Sequence, residues 1–264
     1  MSRAAPRIEP TPPRPGLPSA GAEAWVMLAA PLLVALFAPL FYVARLRPLG
    51  QWTLGENHLI ELMTFATLFA GGWCGLRWAW MARRVERGVL APGFCAIFSL
   101  GLLLAAMEEI AWGQWFFRFP TPAWLAAINS QHEFTLHNIR GMNGHTGYLR
   151  LAFGLGGILG AILSRWPRWQ RVAPPRILLP WFVVIAALAA LDLWVANWPI
   201  TPRIDRMVWN LSEVAEMMVG ISGLLYVWLG ASRIQALRAA GALGANLTEA
   251  PPRPPTAEGG RHAA

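Results

Sequence analysis

Lysine is absent from this chain: all 22 of its basic residues are arginine. Without lysine, and rich in Ala, Gly, Pro and Arg, the composition points to a GC-rich, bacterial coding genome. Charge of either sign is scarce. Charged residues make up 14% of the chain, against roughly 25% in an ordinary soluble domain, which excludes a conventional water-soluble fold. Cysteine is scarce as well. Cys74 and Cys95 are the only two, both inside apolar runs, where a thiol acts as a small buried apolar group; no structural disulfide is expected. The net charge of +8 does not indicate a nucleic-acid partner, because the arginines collect in short connections between apolar segments.

What is present is apolar length. Apolar residues make up 55% of the chain and the mean hydropathy is +0.40. Runs of about 20 apolar residues, the length that crosses a bilayer as a helix, recur at 24–44, 57–80, 91–117, 146–164, 177–198 and 207–229. The expected fold is an all-α integral membrane protein, a six-helix transmembrane bundle occupying residues 23–235. Residues 1–22, with six prolines and three arginines, and residues 236–264 read as disordered tails. The first run is too long for the core of a cleaved leader and is taken as a span.

Arginine placement orients the bundle. With the N-terminus inside, inner segments hold fourteen arginines and outer loops six, so both termini are expected in the cytoplasm of a bacterial inner membrane. Trp25, Trp52, Trp78, Trp80, Trp166, Trp169, Trp198 and Trp228 fall at expected span ends, where amphipathic rings prefer to lie. The fourth run carries Gly154, Gly156, Gly157 and Gly160; Gly156 and Gly160 have the small-xxx-small spacing of close helix contact. The longest outer loop, 118–145, contains Thr121-Pro122, a helix-start signal. A short interfacial helix with Trp124, Leu125 and Ile128 on one face is expected there.

The ionisable residues carry the functional signal. Glu108 and Glu109 sit in an otherwise apolar third run, where an ionised group costs at least ~2.5–3.5 kcal/mol and needs a partner, a proton or a cation. Counting 1.5 Å per residue from Phe117 puts them roughly 12–14 Å below the outer end. Glu61, Asp192, Glu213 and Glu216 also fall in the outer half, while the inner half holds only Arg77. His58, Glu61 and Thr64 form one helical stripe, and Asn210, Glu213 and Glu216 another. Glu108 and Glu109 are about 100° apart, so one is expected to face the centre and the other a neighbour. Together these residues outline an outward-facing carboxylate and histidine pocket lined by His58, Glu61, Gln114, Gln131, Glu133, Asn138, Asp192 and Asn210. Nearby arginines are few, chiefly Arg118, Arg140, Arg150 and Arg206. The expected catalytic groups are Glu108, Glu109 and His137. No standard metal signature occurs, since His132 and His137 are one residue too far apart for H-E-x-x-H. An irregular site of Glu109, His137, Glu213 and Glu216 for Zn, Mn or Fe is the expected metal alternative.

The run Glu108-Glu109-Ile110-Ala111-Trp112-Gly113-Gln114, followed by Thr121-Pro122, Asn129, Gln131, Glu133 and Leu136-His137-Asn138, resembles a family of uncharacterised bacterial multi-pass membrane proteins. That resemblance implies a membrane protein and no particular activity. The acid pair is also weakly similar to the Glu-Glu motif of intramembrane CAAX-type prenyl proteases. In those proteins histidines stand on later helices, where this chain has Asp192 and Glu213. Three functions compete. The first is a membrane-embedded hydrolase or transferase, with or without a metal, acting on a lipid or lipid-linked substrate. The second is a non-catalytic ion- or lipid-binding sensor or assembly protein. A proton-coupled transporter is disfavoured, because a relay needs ionisable groups in the inner half.

Overall fold

The computed structural model describes residues 20–37, 40, 43–54, 58–85, 88–142 and 145–248. Among them the chain is helical, with one isolated backbone bridge between Asn129 and Ile139. The helices are α1 (Ala20–Phe37), α2 (Arg47–Thr53), α3 (Leu59–Val85), α4 (Leu90–Glu109), α5 (Gln114–Phe117), α6 (Ala123–Ala126), α7 (Thr146–Leu163), α8 (Leu179–Asn197) and α9 (Pro202–Thr248). Five helical stretches are long and apolar enough to cross a membrane: Leu59–Arg84, Leu90–Glu109, Thr146–Leu163, Arg176–Asn197 and Pro202–Ser232. An apolar helix keeps every interior N–H and C=O bonded within itself, which is what hydrocarbon demands. The first run is described as α1, with Pro31 in its interior, and residues 38–39 and 41–42 of that run lie outside the described set. Over the described residues its apolar stretch, Gly21–Phe37, is shorter than those five.

The described helices reach into both expected tails. α1 begins at Ala20 and α9 continues past residue 236 to Thr248. Residues 1–19 and 249–264 lie outside the described set, and with them most of both expected tails.

α9 is the most enclosed of the five long helices, packing on α3 and α8, while α3 packs on α4, α7 on α8 and α1 on α8. The main apolar cluster gathers Trp78, Cys95, Phe182, Ile185, Val214, Met217, Met218, Tyr226 and Val227. Trp78 therefore belongs to the core, edge-on to Tyr226, and not to a headgroup belt; Trp25, Trp80, Trp166 and Trp198 are exposed. Two polar ties hold distant segments: Trp181 Nε1 donates to the Val26 carbonyl at 2.7 Å, and the Tyr226 hydroxyl to the Val172 carbonyl at 2.8 Å. Both cysteines are free.

Close approach of α7 and α8 depends on glycine, but not on the expected pair. A Cβ on Gly154 would stand 2.8 Å from the Ala186 backbone nitrogen, and one on Gly157 would stand 2.2 Å from the Phe182 ring. Gly160 meets Pro174, whereas Gly156 faces open space. The contact uses the i, i+3 row 154/157 instead of 156/160 because that row is the one turned toward Phe182 and Ala186.

The third run ends earlier than its hydropathy suggests. α4 stops at Glu109, and Ala111, Trp112 and Gly113 take positive φ of 46°, 54° and 90°. Left-handed backbone costs a non-glycine residue roughly 1–2 kcal/mol, so two such residues in a row need support from their surroundings. Gly113 N–H bonds the Ile110 carbonyl at 2.9 Å, and Trp112 Nε1 bonds Glu108 at 2.5 Å. The acid pair is thus the last turn of α4, not a site 12–14 Å within a longer helix.

Candidate functional site

Glu108 is the acceptor on which the outer loop closes. Its Oε2 receives the Leu136 N–H at 2.6 Å and the His137 N–H at 3.0 Å, and the His137 Nδ1 lies 3.1 Å away. Its Oε1 receives the Trp112 indole N–H. The Glu108 side chain is 13% exposed and that of His137 is 39% exposed. Burial works against the imidazolium of His137, but the Glu108 carboxylate outweighs it and holds His137 above the ordinary histidine value. Glu216 and Glu133 add to the same effect.

The loop around this contact is knit by the polar residues of the sequence signature. The Gln114 side chain donates to the Phe119 carbonyl and to Thr121 Oγ1, both at 2.9 Å, and accepts from Phe134 N–H at 2.8 Å. The Thr121 hydroxyl donates to the His132 carbonyl, so it does not cap α6, whose N-cap position is Pro122. The expected interfacial helix reduces to one turn: Leu125 is buried while Trp124 and Ile128 are exposed. Asn129, fully buried, donates to the Thr135 carbonyl and accepts from Gln131 and Glu133 backbone N–H groups. Asn138 Nδ2 donates to Gln131 Oε1. Six of these contacts reach backbone groups, and a buried backbone group left unpaired costs as much as a lost hydrogen bond. These residue types are therefore needed to fold the loop over the end of α4.

Glu109 points the other way, into the helix bundle. It interacts electrostatically with Glu216, Glu213 and Glu61, and with Arg150. Arg150 on α7 is the cation of the site. Its Nη2 lies 2.6 Å from Asp192 Oδ2 on α8, and its Nη1 pairs with Glu216 Oε1 on α9. Its side chain is only 9% exposed, and its Nε is buried without a hydrogen-bond partner among the described residues. The structure thus brings Glu61, Glu213 and Glu216 near Glu109, and Asp192 and Glu216 onto Arg150, beneath the loop that carries Glu133 and His137. The orientation of the acid pair is also resolved: Glu108 serves the loop and Glu109 the bundle.

Other expected residues are placed less centrally. His58 packs its ring 5.8 Å from that of Trp52, with Nδ1 buried and unpartnered among the described residues. Asn210 is partly buried on α9, and no contact among the described residues brings it into the network. Of the four arginines near the pocket, it is Arg150 that enters it. A single arginine in an otherwise apolar run signals a buried counter-charge, and that signal is stronger than any carried by Arg118, Arg140 or Arg206.

The expected metal ligands Glu109, His137, Glu213 and Glu216 do not form a ligand set. Among the described residues no group of three or more His, Cys, Asp or Glu side chains is placed to hold a metal ion. The reason lies in the pairing: Glu108 engages the His137 imidazole, and Arg150 engages Glu216.

Compared with known proteins, the chain matches no family model, no curated protein and no solved structure.

Proposed function

We propose that this protein is a membrane-embedded hydrolase or transferase acting on a lipid-type substrate, with the Glu108–His137 pair as its acid–base dyad. The observation that carries the reading is the imidazole of His137, held through Nδ1 by the Glu108 carboxylate at 3.1 Å while the ring stays partly exposed. A carboxylate on Nδ1 fixes that proton and leaves Nε2 to meet a substrate. His137 Nε2 takes the proton of a water or substrate hydroxyl as its oxygen attacks an acyl or phosphoryl centre. It then returns the proton to the departing oxygen. Beneath it, the carboxylates around Arg150 make a negative interior that favours a hydroxyl-bearing or cationic headgroup.

The site belongs to a six-span bundle in which α1 is the first span and the turn 123–126 rests at the outer interface. Both termini lie in the cytoplasm of a bacterial inner membrane, and lipid enters from the outer leaflet. The arginine asymmetry supports this orientation.

A non-catalytic lipid- or ion-binding role is the second reading. It is favoured by Glu108 accepting four contacts, enough to act as a loop fastener alone. The two readings separate in one experiment. Purified protein in nanodiscs of a bacterial lipid extract is incubated and the lipids are followed by mass spectrometry. Turnover by the wild type, reduced about 10²–10⁴-fold in His137→Gln, supports the enzyme. Lipid profiles that stay the same with wild type and variant remove it.

A further inference from the structure

The bundle end opposite His137 carries a second polar feature. α3 finishes there, α4 begins there, and the α7–α8 connection folds across it. Between these segments lies a cavity of about 350 Å³ lined by Gly88, Leu90, Ala91, Pro167, Arg168 and Arg171. The Arg171 guanidinium comes within 3.9 Å of where a Cβ on Gly88 would stand, so one wall is cationic and glycine keeps the facing wall low. The other wall is alkyl: Leu90 is 52% exposed and its neighbour Val89 is 87% exposed. Arg83 and Arg84 end α3 at the same face, and Arg165 and Arg176 bracket the connection. None of these six arginines forms an ion pair among the described residues. Two of them rest on tryptophan rings instead, Arg84 on Trp80 at 3.7 Å and Arg168 on Trp169 at 5.6 Å.

We propose that this cavity seats the headgroup phosphate of an anionic phospholipid, with Arg168 and Arg171 as its donors. Guanidinium forks match phosphate oxygens two at a time. Basic pockets at the ends of membrane helices meet such headgroups directly. The alkyl wall of Leu90, with exposed Val89 beside it, gives an acyl chain a path back to the bilayer, which a free phosphate ion has no use for. The site is separate from the Glu108–His137 pair and does not depend on any reaction there.

The full-length protein is reconstituted in nanodiscs of equal phosphatidylglycerol and phosphatidylcholine, and the lipids it retains on release into detergent are counted by native mass spectrometry. The wild type is expected to retain phosphatidylglycerol preferentially. Arg168→Gln with Arg171→Gln lowers that preference roughly 30-fold, from the usual contribution of two basic residues at an anionic surface. Arg168→Lys with Arg171→Lys keeps most of it. Equal retention of the two lipids by the wild type overturns the proposal, as does an undiminished preference in the Gln pair. An equal loss from Arg83→Gln with Arg84→Gln overturns the placement, and complete displacement by inorganic phosphate assigns the cavity to a free anion. Should the Gln pair not fold, the wild type decides through salt: a preference that falls as salt rises about tenfold supports the site, and one that holds constant overturns it.

Discussion

Arg150 holds two carboxylates from two other helices, and each of the three side chains is mostly buried. Removing one partner of such a cluster leaves uncompensated charge, at a cost of about 3–5 kcal/mol. Arg150→Met is therefore expected to lower the thermal midpoint sharply, and Arg150→Met with Asp192→Asn and Glu216→Gln to recover most of the loss. A single variant as stable as wild type would show that the cluster is solvated. His137 supplies a second residue-level test. Its value is raised in the folded protein, mainly because the Glu108 carboxylate overcomes burial. The stabilisation is then fully present below the ordinary histidine value and is lost as pH rises through the raised one. Hydrogen-exchange protection at Leu136 and His137, corrected for the intrinsic base-catalysed rate, should fall as pH rises above the ordinary histidine value. His137→Gln should abolish that pH dependence.

At the scale of elements, the α7–α8 contact separates glycines that look alike in the sequence. Gly157→Ala drives a methyl into the Phe182 ring and is expected to cost about 1–3 kcal/mol. Gly156→Ala, facing open space, should stay within about 0.5 kcal/mol of wild type. Equal melting points for the two variants would contradict the packing. The same contact shows where sequence reading stops. Periodicity identifies a glycine-rich face, but the choice between row 154/157 and row 156/160 is made by Phe182 and Ala186 on another helix. The end of α4 is a similar case. Residues 110–117 are apolar enough to continue a span, and only Gly113 hints at left-handed backbone. Ala111 and Trp112 adopt it because Glu108 and Ile110 hold the turn, a tertiary effect that hydropathy does not register. By contrast, the membrane class, the all-helical fold and the gathering of carboxylates were legible, because buried charge in an apolar helix has few physical outcomes. Arg150 was legible only as one arginine among four; its pairing needed three helices in place.

For the whole molecule, polarity is divided between two ends. Carboxylates and the His137 loop occupy one end, and arginines without an ion pair among the described residues occupy the other. The proposed orientation assigns the first end to the outside. Leu136 and Trp166 are both exposed, so cysteines at these positions, in a Cys74→Ser background, report it. Leu136→Cys should react with a membrane-impermeant maleimide in intact cells, and Trp166→Cys only after the cells are opened. The reverse pattern would invert the topology and move the dyad to the cytoplasmic face.

The Arg150 cluster also constrains how the chain is made. Its guanidinium arrives with α7, Asp192 follows with α8, and Glu216 comes last with α9. A nascent chain emerging in that order holds a half-matched charge in the lipid until the final helix enters. The translocon therefore has reason to keep α7 and α8 sheltered and release the three together. Products truncated before α9 would present that unmatched group to membrane quality control, which makes the last helix the checkpoint of assembly.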